Sequence, residues 1–365
     1  MKHLKLPVAL IAALFWGAMW GATGPANAAD TKFPSNNVTV MIAFSAGGPV
    51  DLFGRLVAAH VGRHLPGNPS VVVQNKPGAG GVAAANYLYN VAKKDGSVFL
   101  VTIAPFTNQF IGRRNVKFDT AKFYWLGSLN ISQTPYVHKR LGVRTAADLM
   151  KVDKQIVIGG LRPSSSRDLR MRSFLESLGI TNYKYVTGYR GTRPIRIALM
   201  RNEVNFSDES VVALAVDLKS DFEAGTIIPL GQSGLTRGNK RIRDPRLAGV
   251  PMAAEAIVAA KGESVRQSLP FRGMRMVESM VALGRAIVLP PGVDPAVAAM
   301  LRKAVDALDT DPAFQRDAQR VTGGTRMELV KGADAQRFAV NIGNLVRKDA
   351  EAVQYLIDLT SKKKK

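Results

Sequence analysis

Arginines and loop glycines are the residues with most to offer chemically in this chain, because the usual catalytic groups are scarce. There is no cysteine, which excludes disulfide scaffolds, thiolate metal sites and cysteine nucleophiles. His60 and His64 stand four apart and share a face on any helix, but no glutamate follows as in H-E-x-x-H and no third ligand is evident. A solvated helix face accounts for that spacing, and no metal is expected. No serine lies in a G-x-S-x-G elbow, so hydrolase chemistry has little to stand on. Anion recognition is what remains. Lysine and arginine number 50 against 28 acids, a formal charge of +22 that favours anionic partners.

Two features would put that charge to use. Ser45-Ala46-Gly47-Gly48 precedes Pro49, and a glycine loop at a helix start presents unpaired backbone N–H groups to a carboxylate or phosphate. Asp51 falls in the first turn of the same helix, where its charge stabilises the helix end. Arg162, Arg167, Arg170, Arg172, Arg190, Arg193, Arg196 and Arg201 crowd the middle of the chain, and guanidinium groups bind carboxylates through paired, charge-assisted hydrogen bonds. A basic solvated surface explains most of them. Arg162 and Arg190 are the candidates for a cleft.

The elements that must position these groups alternate between strand and helix, the pattern of an α/β fold. Residues 38–44 form a β-rich run that ends in the glycine loop, and Leu52, Leu56, Val57 and His60 then repeat at helical spacing. Val71 to Val73, a turn over 75–81 and a helix over 82–93 form a second unit, followed by a strand over 98–103. Further strands are expected over 155–159 and 183–186. Helices are expected over 168–178, 195–200 and 294–308, the last with Pro295 at its first position. Residues 236–249, rich in arginine, read as a basic surface loop. Gly78-Ala79-Gly80-Gly81-Val82-Ala83 fits the dinucleotide pattern G-x-G-x-x-A. Four residues separate it from the strand, however, and no acid ends a second strand about 20 residues on, so no cofactor is expected.

At 365 residues the chain suits two domains, and its apolar share of 46% is that of a folded globular protein. Lys2 and Lys5 precede an uncharged stretch from Leu6 to Ala22, shorter than the roughly 20 residues of a membrane span. Ala26-Asn27-Ala28 then offers a signal-peptidase site. Residues 1–28 are therefore read as a cleaved secretory signal, and export argues against a nucleic-acid partner. Lys362 to Lys365 form a short basic tail.

Phe44-Ser45-Ala46-Gly47-Gly48-Pro49-Val50-Asp51, then Val71 to Gly81 and Asp95-Gly96, resemble the F-x-A-G-G-x-x-D, V-V-x-N-[RK]-P-G-A-G-G and D-G motifs of the Bug family, in the same order and spacing. These are the periplasmic substrate-binding proteins of tripartite tricarboxylate transporters. Tyr189-Arg190-Gly191-Thr192-Arg193-Pro194 is similar to that family's Y-[RK]-G-x-x-P. Asp244 to Pro251 with Ala254-Glu255-Ala256 is similar to its P-D-V-P-T-x-A-E-A, and Leu289 to Val293 to its A-P-A-G-T segment. The resemblance covers nearly all of the chain after the signal.

It implies a two-lobed periplasmic-binding-protein fold of the Venus-flytrap, type II-like α/β class, with the ligand carboxylate held between lobes. The first lobe would comprise 29–130 and 233–365, and the inserted lobe 131–232. The site would draw on Ser45, Ala46, Gly47, Gly48 and Asp51 from one lobe. From the other it would draw on Arg162, Ser164, Ser165, Tyr189, Arg190, Gly191 and Asp208. The chain also departs from the family. Ser45 stands where proline is usual. The loop G-S-x-G-x-G-S-x-x-H appears as Gly159 to Asp168 with Arg162 and Ser164 for two glycines and Asp168 for the histidine. Asn205 replaces the acid after the Y-[RK]-G helix, with Asp208 and Glu209 nearby, and 257–286 lacks the W-x-G-L stretch. The expected function is non-catalytic capture of a small carboxylate by a monomeric periplasmic receptor that delivers it to transporter membrane subunits. A sensory receptor presenting its ligand to a signalling partner is the first alternative, and a secreted α/β enzyme the second.

Overall fold

A computed structural model describes residues 37–361 except 104, 112–114 and 239. The signal peptide with its cleavage site and the lysine tail, both read from the sequence, lie outside the described residues. Strands follow in chain order as β1 (Asn37–Ile42), β2 (Ser70–Asn75), β3 (Val98–Ile103), β4 (Tyr124–Asn130), β5 (Gln133–His138), β6 (Ile156–Gly159), β7 (Tyr183–Val186), β8 (Phe206–Ser210), β9 (Ile227–Pro229), β10 (Leu235–Arg237), β11 (Lys240–Ile242), β12 (Leu283–Leu289) and β13 (Leu329–Lys331).

Two sheets organise the lobes. The larger runs β13-β4-β12-β3-β1-β2, with β1 parallel to β2 and β3, and β12 antiparallel between β3 and β4. The smaller runs β7-β6-β8-β5-β9, with β6 parallel to β7 and β8 and β5 antiparallel to β8 and β9. Buried apolar side chains cover both faces of each sheet. That explains why β1 and β3 read as nearly continuous apolar runs rather than alternating ones.

The helix Pro49–Val61 shows how the sequence sets the site. Proline opens it with φ already helical, and Val50, Phe53, Val57, Ala58 and Val61 make one buried stripe against the larger sheet. Gly54 lets helix and sheet approach, since a Cβ there would lie 2.5 Å from Ile42 Cδ1.

The chain passes between the sheets at Ile131-Ser132 and returns after β9, and these two passages are zipped together. Asn130 Nδ2 donates to the Thr236 carbonyl at 2.9 Å, while the Thr236 amide donates to Asn130 Oδ1 at 2.9 Å. The Gln133 amide donates to Ser233 Oγ at 2.9 Å, and the Gly234 amide to Ser132 Oγ at 3.0 Å. Residues 257–286 supply a third tie. The helix Leu269–Val281 places Phe271 and Met274 in a core of the smaller sheet and Met276, Val277 and Met280 in a core of the larger. Leu169, from the helix Ser166–Ser177, also enters that larger-sheet core, and Arg172 Nη1 of the same helix donates to the Leu359 carbonyl at 2.6 Å.

Two expectations need correction. Residues 236–249 are not simply a basic surface loop, because they include the β10–β11 hairpin. Arg241 there donates to the Ser233 carbonyl at 3.0 Å and 2.6 Å and to the Gly234 carbonyl at 2.6 Å. Burial lowers its guanidinium to about 10. His60 and His64 are not on a solvated face either. His60 is buried with Nε2 3.0 Å from Asp317 of the helix Pro312–Val321, and His64 Nε2 lies 2.8 Å from Asp311, the residue that caps that helix.

Candidate ligand-binding cleft

Each lobe offers a loop that runs from a strand end into a helix, and each loop is tied down by an acid in the helix's first turn. In the first lobe Asp51 Oδ2 accepts from the Gly47 amide at 2.9 Å and from Arg55 Nε at 2.8 Å, and Oδ1 accepts from Asn75 Nδ2 at 2.7 Å. Asn75 Nδ2 also donates to the Phe44 carbonyl at 2.8 Å. Burial pulls the Asp51 carboxyl upward, but the hydrogen bonds from Arg55, Asn75 and Gly47 outweigh it and hold the group below its ordinary value. Gly47 takes φ +83°, a conformation that glycine adopts without strain. The amides of Ser45, Ala46 and Gly48 donate to no acceptor among the described residues.

The second loop repeats the device. Asp168 accepts from the Leu161 amide at 2.9 Å, the Arg162 amide at 2.8 Å and Ser165 Oγ at 2.5 Å, while Ser165 caps the helix by accepting from the Asp168 amide at 3.1 Å. A carboxylate therefore sits beneath this loop and occupies amides that would otherwise face a ligand. Four of the eight arginines singled out in the inserted segment, Arg167, Arg170, Arg172 and Arg196, are committed internally rather than solvated. Arg167 donates to the Asp208 and Gly159 carbonyls and to Ser207 Oγ. Arg170 pairs with Asp208 through both nitrogens of its fork, one at 3.0 Å. Burial raises the Asp208 carboxyl against these partners.

Two neighbouring cavities open between the lobes, about 650 Å³ and 350 Å³. Arg162, Ser164 and Ser165 line the smaller one, together with Phe44 and Gly80 from the other lobe. Asp208 lines the larger one, beside Pro49 and Val50. Ser45, Ala46, Gly47, Gly48 and Asp51 line neither, although they join Phe44 to Pro49. Tyr189, Arg190 and Gly191 line neither as well, and Arg190 is exposed; the helix that follows them contributes Thr192 and Arg196 to the larger cavity.

Five groups are common to both cavities: sequence reasoning missed Ile103, Ile131, Gln133 and Arg285, and left Arg167 among the arginines explained by a solvated surface. Arg285 matters most. It stands on β12, makes no side-chain hydrogen bond or ion pair among the described residues, and has its Nε sealed from solvent without an acceptor. Burial draws its guanidinium down to about 10, still cationic at neutral pH. A lone charge inside the apolar run Leu283 to Leu289 was the signal that could have found it.

No family model matches the chain. Among curated proteins it is 41% identical over 71 residues to the UPF0065 protein in the gbd 5' region of Cupriavidus necator, 20% of this chain and 21% of that one. It is 27% identical over 204 residues to the UPF0065 protein in the TAR-I ttuE-ttuC' intergenic region of Agrobacterium vitis, 53% of this chain and 56% of that one. The matches thus span a fifth and just over half of those relatives. Among solved structures, a TctC solute binding protein from Polaromonas superposes with TM-score 0.63 at 19% identity, over 87% of this chain and 99% of that one. An R. palustris protein with adipate gives 0.60 at 21% identity, over 89% and 98%. The periplasmic binding protein BugD gives 0.59 at 19%, over 88% and 98%. The chain has the two-lobed α/β fold of the periplasmic binding proteins, and its likeness to BugD and TctC agrees with the Bug-family motifs in its sequence.

Proposed function

We propose that the protein is an exported solute receptor of the Bug type, which captures an organic carboxylate between its lobes and delivers it unchanged to a tripartite transporter. Arg285 carries the reading. An unpaired guanidinium facing both cavities is costly to keep unless an anion completes it. The free amides of Ser45, Ala46 and Gly48 supply further donors near the mouth. The fold likeness to a protein with adipate supports the ligand class. The lobe division near 131 and 232 stands as part of the proposal, with residues 253–274 packed on the inserted lobe's core.

A thermal-shift screen against organic acids tests capture, because a ligand that binds only the folded state at 100 times its Kd adds about 2.7 kcal/mol. The best ligand should then be recovered intact by mass spectrometry after prolonged incubation, and steady conversion would refute the receptor reading. N-terminal sequencing of protein from the periplasm should begin at Ala29 if residues 1–28 are the signal.

A further inference from the structure

The larger cavity is built unlike a site for a compact diacid. Its 650 Å³ lies in the middle of the range for drug-sized ligands, about 300–1,000 Å³, and exceeds what a four-carbon diacid fills. Leu52, Ile103, Val216 and Val321 all line it, and these are four of the eleven large apolar side chains left exposed among the described residues. A concentration of uncovered apolar surface in one concavity marks a binding surface rather than ordinary scatter. Val216 of one lobe also meets the turn at Gly323 of the other, where a Cβ would lie 2.8 Å from Val216 Cγ2, so the lobes touch at this edge.

Charge in the cavity is nearly balanced out. Arg196 pairs with Asp217 at 2.7 Å, Arg246 with Asp244 at 2.6 Å and Arg326 with Asp309 at 3.0 Å. Arg285 is left as the cation without an acid partner among the described residues, while the buried Glu209 has its Oε2 3.8 Å from Arg196 Nε. One anionic group has a partner here, and a second would find the other lining arginines already paired.

We propose that this cavity takes the apolar body of an amphipathic monocarboxylate, aromatic or medium-chain aliphatic, whose carboxylate pairs with Arg285. The inference rests on the carboxylate-binding reading above and names its ligand class. Calorimetric titration of the purified protein with two series decides it: straight-chain monocarboxylates from butyrate to decanoate with phenyl-substituted acids, and dicarboxylates from malonate to adipate. Affinity should rise about three- to fourfold for each methylene added to the monocarboxylates. Arg285→Ala should weaken every acid at least tenfold, with Arg285→Lys recovering part of the loss; Arg285→Met serves if the alanine variant does not fold. Ala213→Phe, which fills the cavity from the helix Val211–Val216, should weaken the long acids while leaving any binding of short ones intact. Dicarboxylates that bind more tightly than the long monocarboxylates, with Ala213→Phe inert, would overturn this inference and leave the receptor standing. Failure of every acid in both series would overturn both.

Discussion

Gly48 is a residue at which binding and folding can be separated. Its φ of −85° is open to any residue, and a Cβ would find only the Ser45 carbonyl, at 3.8 Å. Gly48→Glu should therefore fold with a melting temperature within a few degrees of the parent, yet lose carboxylate affinity at least tenfold if, as proposed, the loop amides near the mouth of the cleft help to hold the anion. Calorimetric titration checks this, and undiminished binding would remove the loop from the site. The loop itself was legible in the sequence, because glycine, proline and a first-turn acid announce a strand-to-helix turn. What Asp51 does there was not. Its bonds to Gly47, Arg55 and Asn75 show that it shapes the loop, and Asn75 lies in another strand. Arg285 escaped for a related reason: whether a strand charge faces solvent, an acid or a cleft is decided by residues far away in sequence.

Helices and strands of clear periodicity were readable, including Pro49–Val61, β3, β7 and Pro295–Ala307, while the contacts that join them were not. Asn130 and Thr236 bond across 106 positions, with no local trace. Asn130→Ala leaves a buried amide and a buried carbonyl of Thr236 unpaired and should cost about 2–4 kcal/mol. The urea midpoint should fall, and a drop under 0.5 kcal/mol would mean that water replaces the bond. Asp311 makes a second case at this scale. It caps the helix Pro312–Val321 through the Ala313 and Phe314 amides and accepts from His64. Burial acts to raise its carboxyl, but the bonds from His64, Phe314 and Ala313, with Arg63 nearby, bring it down to about 2. Because the folded value lies below the ordinary 3.8, the stabilisation is full above about pH 4 and fades as pH falls toward 2. Asp311→Ala should cost about 1–2 kcal/mol at pH 6. The difference from the parent should shrink across that acid window in pH-dependent urea melts.

The two-lobed architecture followed from motif order, but the degree to which the lobes are fused behind the cleft did not. Leu169 of the helix Ser166–Ser177 lies in the larger sheet's core, the helix Leu269–Val281 serves both sheets, and Arg172 reaches the Leu359 carbonyl. Lobes joined only by two strands could melt one at a time. Lobes with a shared interior must lose it together, so their unfolding is a single cooperative event. Differential scanning calorimetry should give one heat-capacity peak whose calorimetric and van't Hoff enthalpies agree. Arg172→Ala, which breaks the contact with the last helix, should broaden that peak. Two resolved peaks in the parent would mean that the shared helices do not couple the lobes, and that each lobe carries its own stability.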